Sequence, residues 1–245
     1  MDRVAATQRP DRKVAGYQVW SELLFLHWPV PLKDLRPLVP AALDIDTYEG
    51  VAYVGLVPFY MSGVRPRWWP RALAFSFLET NMRTYVHVNG RDPGVYFFSL
   101  EAASRLAVWA ARLGWKLPYY HARMSQERDG DTLQYRSRRR SRAAPIVDIR
   151  CQLGAPLPTA QPDSLEFFLF ERYLLHVLRR DRVYTGQVHH APYPVQDATL
   201  LHCDEELLGA AGLSAITGPP TLSHYSPGVD VEIFALQAQP DAADA

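Results

Sequence analysis

The sequence predicts an α+β fold dominated by a curled, mostly antiparallel β-barrel or cone with a few flanking helices. Short segments in which apolar and polar residues alternate recur along the chain, and this period is typical of β-strands. The dipeptide Asp129-Gly130, which favours a tight hairpin turn, separates two of them. Only a few stretches have helical spacing. Many hairpins and few helices indicate a sheet that curls on itself.

Composition indicates one domain that binds something small. The chain has 245 residues without a flexible linker or repeat, so we expect a single domain over residues 15–236 with loose, polar ends at 1–14 and 237–245. It has 26 basic and 26 acidic residues, and this balance does not favour nucleic acid or membranes as partners. A small-molecule ligand is the expected partner, and a homo-oligomer remains open.

Cysteine use and the N-terminus indicate a cytoplasmic protein. Cys151 and Cys203 are isolated in the sequence, and the first residues carry arginine and aspartate where a secretory signal would have an apolar run. Nor does any stretch approach the ~20 apolar residues that span a bilayer.

The first third of the chain predicts strands joined by proline-rich loops. We expect a strand or short helix over 20–28, a turn segment over 29–40 and a strand over 52–57. The segment 65–71 contains two prolines and is therefore expected to be a loop. Its residues Trp68 and Trp69 either cap the core or form a lid that stacks on a ligand.

The middle of the chain predicts a helix followed by a hairpin. Apolar residues recur at helical spacing over 97–114, with Ser99 as the N-cap and Gly114 as the stop. The strands after it, 119–127 and 132–140, flank the Asp129-Gly130 turn.

The last third predicts short elements. Asp163 and Glu166 favour the start of a short helix that ends near Glu171, and Asp204 favours the start of another before Gly209. Between and after them we expect a hairpin, a rigid Pro-Tyr-Pro loop and a last strand, at 173–178 with 183–190, 192–194 and 229–234, respectively.

The segment 77–86 gives the most specific functional signal. Its alternation places Glu79, Asn81, Arg83 and Tyr85 on one face of a strand. Because a strand rises ~3.3 Å per residue, Glu79 and Arg83 lie ~13 Å apart along it and must find other partners. One interpretation is a solvated polar face. The other is a polar row inside a cavity, where these groups converge on a small molecule.

A second strand adds candidate acid–base groups. Tyr119, His121 and Arg123 share a face of the strand that begins at 119, and a histidine there titrates near neutrality. A structural histidine is the alternative for His121. The arginine-rich run 136–142 either binds phosphate or nucleic acid or is a solvated strand end, and the balanced net charge favours the strand end.

Several kinds of site are not expected. Residues His189, His190, His202, Cys203 and His224 lack a recognised ligand spacing, so no metal site is predicted. The sequence also lacks a Gly-x-Ser-x-Gly elbow and a glycine-rich phosphate loop. We therefore expect no cofactor.

Four motifs carry a resemblance to a known family. They are Gly55-Leu56-Val57-Pro58-Phe59, Glu79-Thr80-Asn81-Met82-Arg83-Thr84-Tyr85-Val86, Leu117-Pro118-Tyr119-Tyr120-His121-Ala122 and His190-Ala191-Pro192-Tyr193-Pro194. With these motifs, residues 17–235 resemble the YqjF-like family, an uncharacterised group in the acetoacetate decarboxylase-like superfamily. The resemblance implies a curled barrel or cone of the acetoacetate decarboxylase-like type with a small-molecule cavity inside.

The resemblance does not extend to the decarboxylase mechanism. In acetoacetate decarboxylases, two adjacent lysines after a helix and a Gly-Phe-Pro motif supply the amine that forms an imine with a keto acid. Tyr119 and Tyr120 stand at the matching positions here, and a phenol cannot form an imine. Lys116 is the one lysine near them, and its access to the cavity from a shifted position remains an open alternative.

We therefore expect a cavity that binds a small carboxylate or carbonyl compound. Its expected acid–base groups are Glu79 and His121, with Tyr119 donating a hydrogen bond. Arg83 is expected to bind the anion through its planar fork, and the expected ligand-binding residues are Asn81, Arg83, Tyr85, Arg123 and Lys116. Acid–base catalysis of the lyase or isomerase type, ligand binding without catalysis, and a merely solvated polar row remain as alternatives.

Overall fold

The computed structural model describes residues 1–105, 108–109, 117–180 and 182–239. In this part of the chain, strands dominate and the helices are short. The strands are β1 (Val14–Val30), β2 (Asp44–Ile45), β3 (Ala52–Pro66), β4 (Phe75–Val88), β5 (Arg91–Ala102), β6 (Tyr119–Asp129), β7 (Thr132–Arg139), β8 (Ile146–Pro156), β9 (Leu174–Arg179), β10 (Arg182–His189), β11 (Gln196–Glu205) and β12 (Leu222–Ala238). The helices are α1 (Leu32–Leu35), α2 (Leu165–Phe170) and α3 (Leu207–Ala210), with short 3-10 turns at Ala5–Thr7, Arg36–Leu38 and Arg71–Leu73.

These strands form one curled sheet, as expected for the predicted fold class. Its order is β10-β9-β5-β6-β7-β8-β11-β12-β1-β3-β4-β2, and β10 also pairs with β12 while β4 also pairs with β5. The extra pairings complete two circuits of neighbouring strands. One circuit runs β4-β5-β9-β10-β12-β1-β3, and the other runs β4-β5-β6-β7-β8-β11-β12-β1-β3.

The two circuits share a wall in which β1, β3 and β4 are buried on both faces. Leu23 and Phe25 of β1 belong to one apolar core, and the alternate residues Leu24 and Leu26 belong to the other. Strand β4 divides in the same way, with Tyr85 in the first core and Met82 in the second. This explains the continuous apolar run Leu23–Leu26, since a strand covered on both sides does not need polar residues at alternate positions.

Strand β3 lies between β1 and β4 in the sheet, and it contains a proline. Pro58 pairs with Thr80 of β4, but the pairing of β3 with β1 is interrupted between Tyr60 and Leu56. Because proline has no N–H to donate, it is tolerated where the hydrogen-bond ladder is already broken by a bulge.

Helix α2 closes one end of the first core. The Ser164 side chain accepts a hydrogen bond from the Phe167 backbone N–H, so Ser164 is the N-cap where Asp163 was expected. The three residues Phe168, Leu169 and Phe170 are all buried in the first core. A short helix near 163–171 was therefore predicted correctly.

The predicted helix over 97–114 is wrong at its start. Ser99 lies in β5 opposite Met82, and its hydroxyl donates to Glu101 instead of capping a helix. Cross-strand pairing with β4 outweighs the apolar spacing that favoured a helix. Arg105, Val108 and Trp109 are helical, and residues 106–107 and 110–116 lie outside the described part of the chain.

Three other local expectations are corrected. Asp204 lies in β11 opposite Asp148, and Glu205 instead accepts the hydrogen bond from the Leu208 N–H at the start of α3. Trp68 is 78% exposed and does not cap the core, and β3 continues to Pro66, into the segment 65–71 that was expected to be a loop. Residues 29–40 are not only a turn, since β1 continues to Val30 and α1 follows.

The hairpins were predicted correctly, and the N-terminal segment contacts the rest of the fold. Strands β6 and β7 pair across the Asp129-Gly130 turn, and β9 pairs with β10. Arg3 forms an ion pair with Asp46 at 2.6 Å, and Arg9 forms one with Glu232 at 2.6 Å. In the described residues, no helix is long and apolar enough to cross a membrane.

Candidate active site

A cavity of about 180 Å³ lies within the smaller circuit of strands. Each of the seven strands of that circuit contributes to its lining, together with Tyr119 of β6 and Tyr193 of the loop after β10. Most of this lining is apolar or aromatic. The polar groups that line it are therefore few, as in typical small-molecule sites.

The polar row of β4 faces this cavity and not bulk solvent. Glu79, Asn81 and Arg83 line the cavity, with exposed fractions of 2%, 6% and 8%. Tyr85, the fourth member of the row, is fully buried beside it. These values do not fit a solvated polar face.

Glu79 forms a hydrogen-bonded pair with Tyr119 inside the cavity wall. The Tyr119 hydroxyl donates to Glu79 Oε2 at 2.8 Å. Burial raises the pKa of Glu79 to about 8; the Tyr119 hydrogen bond opposes this shift and the negative charge of Glu101 adds to it. Glu79 is consequently a mostly neutral carboxylic acid near pH 7, able to donate a proton.

Arg83 is a buried cation without a carboxylate partner in the described part of the chain. Its Nη2 donates to the Leu169 carbonyl at 3.1 Å, and its Nε is buried without a hydrogen-bond partner. The guanidinium also lies 5.8 Å from the ring centre of Phe25 and 5.7 Å from that of Tyr85. An uncompensated buried charge is costly.

Arg172, a second buried arginine of the cavity wall, has a carboxylate partner. It forms an ion pair with Asp46 at 2.8 Å, and its Nε donates to the Phe168 carbonyl at 2.6 Å. Asp46 also forms an ion pair with Arg3, so the two arginines share one carboxylate. Of the two buried arginines of the wall, Arg83 is the one without a carboxylate partner among the described residues.

The orientation of Arg83 depends on a buried hydrogen-bond chain. The Tyr85 hydroxyl donates to the same Leu169 carbonyl at 3.0 Å and lies 2.7 Å from His27 Nε2. Since the single hydroxyl proton goes to Leu169, the tautomer of His27 with its proton on Nε2 is assigned. Burial lowers the pKa of His27 well below its usual value, and the positive charge of Arg83 adds to this shift, so the ring is neutral.

His121 and Arg123 lie away from the cavity. His121 is half-buried near Arg105 and Arg140, and burial followed by these two positive charges lowers its pKa. Arg123 is exposed on the outer face of β6, opposite Arg138 of β7. Neither residue lines the cavity. Lys116 lies outside the described residues.

An aromatic cluster beside the cavity was not recognised from the sequence. Glu171 accepts hydrogen bonds from the Tyr173 hydroxyl at 2.6 Å and from the Tyr193 N–H at 3.0 Å, which fixes both rings in the cavity wall. The His190 ring stacks on Tyr173, with ring centres 4.3 Å apart, and burial lowers its pKa to about 4. The sequence analysis marked this part of the wall only as a rigid loop at 192–194 and as the resemblance motif at 190–194, without a role for its rings.

The described residues contain no group of three histidine, cysteine or acidic side chains placed to hold a metal ion. The polar side chains named above as lining the cavity are an acid, an amide, guanidinium groups and phenols.

Comparison with known proteins identifies sequence relatives. A family model of DUF2071, described as an uncharacterized conserved protein, matches residues 17–230. The uncharacterized protein YqjF of Bacillus subtilis (strain 168) is 39% identical over 222 residues, which cover 90% of each chain.

Solved structures with a similar fold are much more distant in sequence. The enduracididine biosynthesis enzyme MppR, in complex with pyruvate, is similar with a TM-score of 0.66 at 12% identity, covering 96% of this chain and 94% of that one. Acetoacetate decarboxylase of Legionella pneumophila has a TM-score of 0.61 at 14% identity, covering 98% and 95%. At these identities the likeness establishes an acetoacetate decarboxylase-like fold.

Proposed function

The chain belongs to the DUF2071 family of uncharacterized conserved proteins, and we propose that its cavity binds a small carboxylate or carbonyl compound. Arg83 binds the anionic group, and Glu79 with Tyr119 binds the carbonyl oxygen.

The observation that carries the proposal is the unpaired charge of Arg83. Arg83 is 8% exposed, lines the cavity and has no carboxylate partner among the residues described. A ligand carboxylate supplies the missing anion and accepts charge-assisted hydrogen bonds from the guanidinium fork. Binding then relieves the cost of a buried, uncompensated cation.

The cavity volume limits the ligand to a small molecule. At about 180 Å³ it is somewhat larger than the ~150 Å³ cavity that accommodates benzene in another protein. MppR, which has the same kind of fold, was solved with pyruvate, a three-carbon keto acid. Pyruvate and its homologue acetoacetate are therefore suitable first probes.

Glu79 supports acid–base chemistry on such a ligand. With a pKa of about 8, it keeps its proton near neutral pH and can give it to a carbonyl oxygen. The carboxylate left behind accepts the Tyr119 hydrogen bond. That carboxylate is then the base that takes a proton from the adjacent carbon, so the carbonyl compound becomes its enol and Glu79 regains its proton.

This chemistry does not require an imine. By the resemblance to acetoacetate decarboxylases, Tyr119 and Tyr120 stand where those enzymes have their paired lysines, and both Lys13 and Lys33 are exposed. We therefore expect that borohydride treatment with pyruvate or acetoacetate leaves the mass of the protein unchanged. An adduct that disappears in Lys116→Ala would instead establish the imine route.

Thermal unfolding with saturating keto acid tests the binding site. Ligand at about 100 times its dissociation constant raises the free energy of unfolding by ~2.7 kcal/mol. Arg83→Met should abolish this stabilisation while the ligand-free protein keeps its stability, since the variant removes an unpaired buried charge.

Arg172→Met is the matched control, because Arg172 is already paired with Asp46. It should lower the stability yet preserve the ligand response. An undiminished response in Arg83→Met would refute the anion site.

Solvent deuterium exchange separates catalysis from binding alone. If Glu79 transfers protons, the wild type should accelerate deuterium incorporation at the methyl group of pyruvate, as measured by NMR. Glu79→Gln should still bind but lose this acceleration. Binding without accelerated exchange in the wild type would favour the second candidate, a non-catalytic binding or sensing module.

A further inference from the structure

A cationic depression lies on the outer face of the β6–β7 hairpin, where its two strands approach the turn at 141–144. It is lined by residues of both strands and of this turn, namely Arg123, Arg138, Arg139, Arg140, Ser141 and Ala144. None of them lines the cavity described above. It is therefore a separate surface, here called the arginine depression.

Three of its four arginines have no acidic partner among the residues that the structure describes. Arg139 forms an ion pair with the buried Glu101 and stacks over Tyr120. Arg123, Arg138 and Arg140 are exposed, and none forms an ion pair with a carboxylate within the described ranges. The same outer face does pair a neighbouring cation, since Arg136 binds Asp148 at 3.1 Å. The depression thus differs from the neighbouring part of this face, where the arginine is paired with a carboxylate.

The strand register concentrates positive charge at this position. Arg123 stands directly opposite Arg138, and like charges at such positions are destabilising. Arg140 is held close by, because its backbone N–H donates to the His121 carbonyl at 2.8 Å. The positive charges of Arg140 and Arg105 also contribute to the lowered pKa of His121.

We propose that the arginine depression binds the phosphate groups of a small phosphorylated compound. A diphosphate carries enough negative charge to neutralise several guanidinium groups, whereas a single carboxylate neutralises one. The guanidinium fork matches two phosphate oxygens at once. At the rim, the Ser141 hydroxyl accepts a hydrogen bond from the Ala144 N–H at 3.2 Å and has its own proton to donate.

The remainder of the chain favours a compact anion over a nucleic acid. Acidic and basic residues are equal in number, so the positive potential is local to this depression. A long polyanion would meet compensating acidic groups beyond it, such as Asp148 on the same face of the sheet.

Calorimetric titration of the full chain with pyrophosphate tests the proposal. We expect one saturable site per chain. Arg138→Gln and Arg123→Gln should each weaken binding at least about tenfold, the scale of one charge-assisted hydrogen bond. Arg150→Gln is the matched control, because Arg150 is an exposed arginine on the neighbouring strand β8 and does not line the depression. It should change the affinity less than about twofold.

Several outcomes would overturn the proposal. They are the absence of saturable binding by the wild type, an equal loss in Arg150→Gln, and an affinity for single-stranded oligonucleotides that exceeds that for pyrophosphate and grows with their length. Circular dichroism verifies that each variant is folded. Should Arg138→Gln fail to fold, Arg123→Gln and Arg140→Gln decide the result, and retention of binding by both would refute the site.

Discussion

Glu79 and Arg83, two buried residues of one strand, differ in whether the side chain can become neutral. Glu79 can lose its charge, because burial raises its pKa to about 8 and the proton stays bound near neutrality. Arg83 cannot, because a guanidinium does not release its proton in proteins. The cavity thus combines a neutral proton donor with a permanent cation, which is the combination on which the proposed binding of an anionic carbonyl compound rests.

The raised pKa of Glu79 predicts a specific dependence of stability on pH. Between pH 4.5 and about pH 8 the folded chain keeps a proton that the unfolded chain has released. The unfolded state then binds fewer protons, so the free energy of unfolding falls as the pH rises through this window. The contribution of Glu79 is fully present at lower pH and is lost above pH 8. The expected loss is a few kcal/mol.

Glu79→Gln measures this contribution by chemical unfolding at about pH 5 and about pH 8. The variant has no proton to lose at this position, so its stability should fall less over the interval than that of the wild type. Other buried groups that do not contribute to the Glu79 shift, such as Glu205 and His176, titrate in both proteins and cancel in the difference. Parallel pH profiles for the two proteins would show that Glu79 is ionised in the folded chain.

The alternation of the β4 segment was sufficient to predict the polar row. Contacts between residues that are distant in the sequence could not be predicted in this way. The sequence predicts that Glu79, Asn81 and Arg83 share a face, and they do line one cavity. The same alternation in the segment that begins at 119 predicted that His121 and Arg123 would lie with Tyr119 at the site. Only Tyr119 reaches the cavity, because β6 pairs with β5 at its beginning and then continues outward with β7. Such a change of neighbour leaves no local signal.

At the scale of elements, the shared wall depends on close approach between β1, β3 and β4. Gly55 of β3 lies opposite His27 of β1 and Arg83 of β4. A Cβ atom at Gly55 would lie 3.1 Å from two atoms of the His27 ring and 3.4 Å from the Tyr85 hydroxyl. The glycine therefore makes room for the His27–Tyr85 hydrogen bond that supports Arg83.

Gly55→Ala should destabilise the protein by about 1–3 kcal/mol, since an added methyl group in a tightly packed interior forces its neighbours to move. Urea unfolding measures the loss, and NMR of the His27 ring should show that its hydrogen bond to Tyr85 is perturbed. Gly209→Ala in α3 is the control, because its Cβ would meet only Ser214 Oγ at 3.7 Å. An equal stability of Gly55→Ala and wild type would mean that the wall yields easily at this point.

The β4–β5 hairpin illustrates which element signals succeed. The helical spacing after residue 97 predicts a helix, yet β5 runs to Ala102. The dipeptide Asn89-Gly90 before it favours a hairpin turn, and both residues have positive φ, 50° and 75°. This turn pairs β4 with β5 and makes strand the better state for residues 97–102. Spacing alone did not reveal that pairing partner.

At the scale of the whole molecule, two circuits of strands with separate cores share the wall of β1, β3 and β4. The cavity lies in the smaller circuit, while the larger circuit has a core without cavity residues. A ligand bound in this cavity would therefore contact only one side of the wall. The wall itself is sealed from both sides, and its backbone hydrogen bonds should open only when both cores are disrupted.

Hydrogen–deuterium exchange followed by mass spectrometry tests this arrangement. Peptides from the centre of the wall, 23–26, 54–59 and 80–86, should exchange at the rate of global unfolding. Peptides from β7 and β8 should exchange faster, because their residues alternate between buried and exposed and one face of these strands meets solvent. Bound keto acid should slow exchange in β9 and β10 more than in β7 and β8, since only the former line the cavity. Equal protection of β7, β8 and the wall without ligand would show instead that the whole sheet opens as one unit, and the wall would then have no separate role in stability.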